Sequence, residues 1–441
     1  TEVIKQGSRR RGAMMGILDV SHPDIVEFIT SKAEQGKLKN FNISVAVGEK
    51  FMRAVKDDGE FPLINPRTKQ VVKRVPAREL FALISASAWR TGDPGMIFID
   101  EINRSNPTPK LGRIESTNPC GESPLLNYES CNLGSINLSN MVEGGKMDYG
   151  KLRRVIHTAV HFLDNVIDAN RYPVKQIGDI TKGNRKIGLG VMGFAEMLIK
   201  LKVPYDSKKA LGVASKVMRF ISKEADNKSV ELANRRGSFP NKRHSNLKFN
   251  KIRNATRTSI APTGTISIIA QTSSGIEPLF AVSFIRDVLD GTKMLEVNSL
   301  FEEVARQRGF YSRDLMMQIS RKGSVQKIRG VPDDVKRIFV TALDIRPEWH
   351  VRMQAAFQGH TDLAVSKTVN LPVSASIDDI KKVFMLAHSL RCKGITVYRY
   401  GSKEEQVLYI GEVFKKENPR EVHVKAHSEY AGGCPAGECP F

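Results

Sequence analysis

The sequence predicts an α/β protein whose parallel strands carry helices on the outside, most economically a barrel with active-site loops at one end of the strands. Three observations predict it. Short runs rich in apolar and β-branched residues, such as 42–47, 96–99 and 395–398, read as strands. Longer stretches of helical period separate them, and the alternation recurs along the chain. The 441 residues suffice for one large barrel, although about 150 residues per domain would divide them into roughly three.

Taken in order, residues 5–11 form a basic, glycine-containing loop before the apolar stretch 13–20. Helical spacing follows over 22–33, then the strand 42–47, and helices over 51–55 and 77–88. Between those helices, Pro62 and the Asn65-Pro66-Arg67 turn make 61–72 a loop or small hairpin. A buried strand at 96–99 runs into a polar loop, 100–109. An apolar stripe predicts a helix over 152–170, and glycines 188, 190 and 193 open another that reaches Leu201 and packs closely. Residues 207–236 form a long helix stopped by Gly237. An apolar strand from Thr258 then leads into Pro262-Thr263-Gly264-Thr265, a loop of backbone N–H groups and hydroxyls suited to phosphate. Helices over 294–308, 333–343 and 348–358 precede a helix capped by Ser376 and the closing strand 395–398. From Ser402 a charged, glycine-hinged tail is expected to be mobile.

Composition bounds the function. Hydrophobic content of 41% and charged content of 26% are ordinary for a soluble protein. No apolar run approaches the ~20 residues of a membrane span, and no signal-peptide layout opens the chain, so a cytoplasmic protein without a membrane partner is expected. A net charge of +21 would draw polyanions such as nucleotides, nucleic acid or an acidic protein. Aromatics, at 7%, do not interleave with the cations as a single-strand platform requires. Five cysteines make no disulfide framework, which leaves catalytic, redox or metal roles. The uncapped start at Thr1, without methionine, predicts a piece of a longer protein.

The chemistry centres on Asn118-Pro119-Cys120-Gly121-Glu122, with Cys131 eleven residues beyond Cys120. On an extended segment side chains alternate with period two, so Asn118, Cys120 and Glu122 would share one face. An amide, a sulfur and a carboxylate would then line up as a reaction centre.

That motif is one of several. Together with Cys131-Asn132-Leu133-Gly134-Ser135-Ile136-Asn137-Leu138, Ala261-Pro262-Thr263-Gly264-Thr265, Ser274-Gly275-Ile276-Glu277-Pro278 and Cys392-Lys393-Gly394-Ile395-Thr396-Val397-Tyr398-Arg399, it resembles the adenosylcobalamin-dependent (class II) ribonucleotide reductase large chain, in order and over nearly the whole length. The resemblance implies a ten-stranded α/β barrel over 1–401, here without its N-terminal part, with a finger loop around 118–131 and the tail at 402–441. It implies that Cys120 is a transient thiyl radical, Glu122 a general base and Asn118 a ligand of the ribose hydroxyls. Cys131 becomes half of a reducing pair; its partner cysteine is absent, since none precedes Cys120. Cys434 and Cys439 resemble the tail pair that re-reduces the site by exchange, although His423, His427 and these cysteines also have permissible zinc spacing. Cys392 reads as structural.

Pro262, Thr263, Gly264, Thr265 and Ser267 correspond to the substrate-phosphate cradle, and Lys5, Gln6 and Arg10 to the specificity loop that relays a bound effector. The implied cofactor is adenosylcobalamin; Tyr398 and Tyr400, being non-adjacent, do not form the tyrosine pair used with a separate radical subunit. Implied partners are a ribonucleoside di- or triphosphate, a deoxynucleotide effector, a thioredoxin-like reductant, the N-terminal fragment needed for turnover and a second copy in a homodimer. The competing reading is a non-catalytic basic protein that keeps the fold and binds nucleotides or nucleic acid.

Overall fold

The computed structural model describes residues 13–34, 38, 41–287, 293–402, 408–409 and 425–426. Its framework is a wall of strands backed by helices. Strands β1 (Met14–Asp19), β2 (Phe41–Val47) and β3 (Gly95–Phe98) run parallel. With two later strands, β6 (Thr368–Leu371) and β7 (Gly394–Arg399), they form a five-stranded sheet of order β1-β2-β3-β7-β6, in which β7 is antiparallel to β3 and parallel to β6.

The wall continues past β6. Residues 363–366, which lead into β6, hydrogen-bond with residues 258–260, and these bridge strand β5 (Ile187–Met192) in parallel. β5 in turn pairs in parallel with β4 (Asn132–Asn137). Among the described residues β1 and β4 are the two edges.

Outer helices bury the apolar face of each strand. Helices α2 (Tyr149–Ala169), α3 (Lys208–Arg236) and α4 (Pro347–Gln358) share a core with Ile136, Ile187, Leu189, Val191 and Ile260. Helices α1 (Ala77–Thr91) and α5 (Ile377–Ser389) pack on Val45, Val47, Val369 and Val397. Local signals fix the ends: Ser207 accepts the Ala210 N–H, Gly237 ends α3 at φ +81°, and Ser376 and Asp379 cap α5 reciprocally. No described helix is long and apolar enough to cross a membrane.

Several expected elements differ; the helix expected over 333–343, for one, spans only Asp333–Ile338. Glycines 188 and 190 belong to β5, and the helix begins after Gly193, at Phe194–Lys200. They are glycine for strand packing: a Cβ on Gly188 would lie 2.5 Å from Leu133 Cδ2, and one on Gly190 2.1 Å from the Ser259 carbonyl oxygen. The polar loop 100–109 starts as a helix, Ile99–Arg104, since Ile99 and Ile102 are buried on one side. The helix expected from 294 starts at Ser299–Gln307, capped by Asn298, because Lys293–Val297 pairs as a strand with Ser283–Asp287. The hairpin at 61–72 is confirmed as Glu60–Ile64 paired with Val71–Pro76.

Candidate functional site: a cysteine-bearing finger inside the wall

Strand pleating decides what lines the interior. In β4, Gly134 and Ile136 face the helices, so Cys131, Leu133 and Ser135 point the other way. On β5 the inward positions are Gly188 and Gly190, and between 258 and 260 it is Ser259. Into this space projects a hairpin formed by Ser116–Thr117 and Pro124–Leu125, whose tip is 118–123.

The tip is a turn, which corrects the extended geometry read from the sequence. The Gly121 N–H donates to the Asn118 carbonyl at 3.0 Å, and Gly121 has φ +82°, a conformation open to glycine. Chain reversal, rather than alternation, brings Asn118 to Glu122: the Asn118 side chain hydrogen-bonds the Glu122 carboxyl and accepts the Ser123 N–H at 3.0 Å. Cys120 sits half-buried at the apex.

The wall clamps this finger from opposite sides. The Ser259 hydroxyl and the Ala364 N–H each donate to the Glu122 carbonyl at 2.9 Å. From β2, Asn42 Nδ2 donates to the Pro119 carbonyl at 2.7 Å. Below, Ile114 and Leu126 of the finger stem bury against Ala46 and Ile97. Asn42, Ser259 and Ala364 were not identified from sequence, because such contacts join residues far apart in the chain.

Glu122 is 3% exposed, and its Oε2 has no hydrogen-bond partner. Burial raises its pKa above the ordinary carboxylate value, more than the hydrogen bond from Asn118 lowers it. Cys131 packs over Gly188, where a Cβ would lie 3.5 Å from its Sγ. Burial pushes its thiol pKa well up, Lys186 opposes that shift, and Glu129 and Glu122 add to it. Cys392 is fully buried in the core and its thiol is pushed up to about 12, in keeping with a structural role.

The hydroxyl-rich loop follows residues 258–260 at the same end of the wall as the end of β5. Thr263 adopts φ +58° and accepts the Gly275 N–H at 2.7 Å; Ser267 and Ser274 hydroxyls bond at 2.9 Å. Pro262 through Ser267 thus interlocks with the Ser274–Pro278 motif. The latter is tied to the wall by Glu277, which pairs with Lys367 and accepts the Thr368 N–H at 2.8 Å. Lys5, Gln6, Arg10, Cys434 and Cys439 lie outside the described residues, as do His423 and His427. No group of potential metal ligands occurs among the described residues.

A helix-backed α/β wall around a finger with an apical cysteine, a buried carboxyl and a second inward cysteine defines a structural class, that of α/β folds built around a cysteine-tipped finger loop. The ribonucleotide reductase barrel domain matches residues 1–251 and 241–398, and the chain belongs to that family. It is 52% identical over 454 residues to the vitamin B12-dependent ribonucleoside-diphosphate reductase of Thermoplasma acidophilum, with all of this chain and 59% of the relative covered. The protein of that name from Mycobacterium tuberculosis is 50% identical over 441 residues, with all of this chain and 63% of that protein covered. The chain therefore spans about three fifths of these relatives. Among solved structures, the Actinobacillus ureae class Id ribonucleotide reductase alpha subunit superposes with a TM-score of 0.73 at 24% identity, covering 89% of this chain and 71% of that one, a likeness of fold.

Proposed function

We propose that the protein of which this chain is part reduces ribonucleotides to deoxyribonucleotides for DNA precursor synthesis, with Cys120 as the radical-bearing thiol. The observation that carries this is the partnerless Oε2 of buried Glu122, one turn from Cys120 and bonded to Asn118: a base held ready for a hydroxyl proton.

The sulfur of Cys120, as a thiyl radical, removes the 3′ hydrogen atom of the ribose. Glu122 takes the 3′-OH proton, and Asn118 orients the hydroxyls. The 2′-OH leaves as water while Cys131 and a second cysteine outside this chain give up two hydrogens and join as a disulfide. Cys120 then returns its hydrogen to C3′. The tail pair Cys434 and Cys439 re-reduces the disulfide by exchange, drawing on a thioredoxin-like reductant. Pro262, Thr263, Gly264, Thr265 and Ser267 hold the substrate phosphates, and Lys5, Gln6 and Arg10 relay a deoxynucleotide effector.

The relatives' names support adenosylcobalamin as cofactor. When bound, it would supply the one-electron chemistry that a radical at Cys120 requires. The residues present fit it where they must meet it: Cys120 is not sealed, and a Cβ on Gly121 would touch nothing within 4 Å, so the apex is approachable on that side. The edges that β1 and β4 form among the described residues are compatible with a ten-stranded barrel closed by further strands of a longer protein, and a homodimer of the complete protein follows the family pattern.

The test is deoxynucleotide formation by the full-length protein with adenosylcobalamin. Wild type is expected to turn over and Cys120→Ser to form none. Product from the Cys120→Ser protein overturns the mechanism.

A further inference from the structure

We propose that Lys186, held in place by Glu129, is a positioning residue for the redox chemistry of Cys131, its ammonium stabilising the thiolate released when a disulfide at Cys131 is reduced. This rests on the reading of Cys131 as half of the reducing pair.

Register and pleat set the arrangement. β4 and β5 pair in parallel with Ile187 opposite Asn132 and Gly188 opposite Leu133, so one step back Lys186 stands opposite Cys131. Lys186 shares the inward face of Gly188, over which the sulfur packs. Two residues before Cys131, Glu129 meets the same lysine: Nζ and Oε2 are 2.7 Å apart, with both side chains 0% exposed.

The carboxylate is saturated from other directions. Asn184 Nδ2 donates to Oε1 at 2.6 Å, and the Leu126 N–H to Oε2 at 2.8 Å. Asn184 is itself held by Asn241 Nδ2 at 2.9 Å. Burying two ions is costly, and well-packed apolar residues often replace such a pair without loss of stability. A charge kept beside an inward sulfur has a chemical use instead.

The charged groups that bear on Cys131 are Lys186 from β5, Glu129 from its own segment and Glu122 from the finger. Both carboxylates oppose a thiolate, so Lys186 is the group favouring it. In exchange, an incoming thiolate attacks the partner sulfur, the S–S bond breaks, and its electron pair leaves on Cys131, which is then protonated. The easier that departure, the faster the disulfide is reduced.

The test is the rate of iodoacetamide alkylation of Cys131 against pH, read by peptide mapping on the folded chain. Lys186→Met is expected to slow alkylation at least tenfold at fixed pH and move the profile to higher pH. Glu129→Gln, by freeing the lysine charge, moves it the opposite way, and Lys186→Arg stays near wild type. A merely structural pair would, once broken, open the site and speed alkylation in both Lys186→Met and Glu129→Gln. That result, or no change in either, overturns the proposal. Should Lys186→Met not fold, the other two variants decide: slower alkylation in Glu129→Gln, or a profile in Lys186→Arg shifted like an uncharged site, overturns it. Alkylation needs no turnover, so the test is independent of the parent reading, which fails separately if Cys131→Ser supports repeated turnover in the full-length enzyme.

Discussion

The Ser259 hydroxyl donates to the Glu122 carbonyl at 2.9 Å across 137 residues of sequence, and so ties the finger to the middle of the wall. Because the Ala364 N–H shares that carbonyl, the finger keeps one anchor when the other is removed. Ser259→Ala is expected to cost about 0.5–1.5 kcal/mol of stability. Its larger effect is local, since an apex displaced by a fraction of an ångström misplaces Cys120. Hydrogen exchange should quicken at 118–123 ahead of the rest of the chain; uniform protection across those residues would count against the anchor.

Glu122 separates function from stability. Its pKa is raised by burial, so ionising it costs folding energy: the stability it contributes is full below the unfolded carboxylate range and is lost as pH rises through its folded pKa. Glu122→Gln should therefore melt higher than wild type at neutral pH, with the gain vanishing below about pH 4. Turnover of the full-length enzyme should fall about 10²–10⁴-fold, the usual contribution of a general base. The acid limb of the wild-type rate profile should lie above the ordinary carboxylate range, and be absent from the residual activity. Thermal melts and rate profiles over the same pH series check both halves.

Two glycines offer a paired test of packing. Gly190 faces inward, where a Cβ would sit 2.1 Å from the backbone oxygen of Ser259, whereas Gly212 lies in α3 with nothing within 4 Å of its would-be Cβ. Gly190→Ala must force two strands apart and is expected to cost about 3 kcal/mol or more, at the upper end of overpacking penalties. Gly212→Ala should instead stabilise by roughly 0.5–1 kcal/mol, as in an open helix interior. Denaturant midpoints for the two should move in opposite directions.

These contrasts show what was legible in the sequence. Helices such as Lys208–Arg236 could be read because their period and caps are local, and the nearness of Asn118 to Glu122 because the two are close in sequence. How Asn118 comes to the side of Glu122 was hidden: alternation and a tight turn both allow it, and only the positive φ of Gly121 selects the turn. Gly188 and Gly190 were assigned to a helix start because glycine reports close approach without saying which neighbour approaches. Asn42, Ser259 and Lys186 act across long stretches of chain, and no local pattern marks them. Glu129 did carry a signal, standing two residues before Cys131.

A buried histidine joins the network through which Glu277 and Lys367 tie residues 274–278 to the wall. His350 is fully buried; its Nδ1 accepts from Lys367 Nζ at 2.9 Å and its Nε2–H donates to the Ala342 carbonyl at 3.0 Å, an arrangement that fixes the neutral tautomer. Burial, and then the neighbouring Lys367, hold its pKa well below the usual histidine value. A depressed pKa means that the unfolded chain takes up the proton first. Stability is therefore full above about pH 6.5 and declines as pH falls towards the folded value, by up to about 1.4 kcal/mol per pH unit for one proton. Glutamine can accept from Lys367 and donate to Ala342 without titrating, so His350→Gln should flatten this part of the stability curve between pH 7 and 5. Other titrating groups are common to both proteins and cancel in the difference. Parallel curves for the two proteins would show that His350 is not the group that makes the fold acid-sensitive.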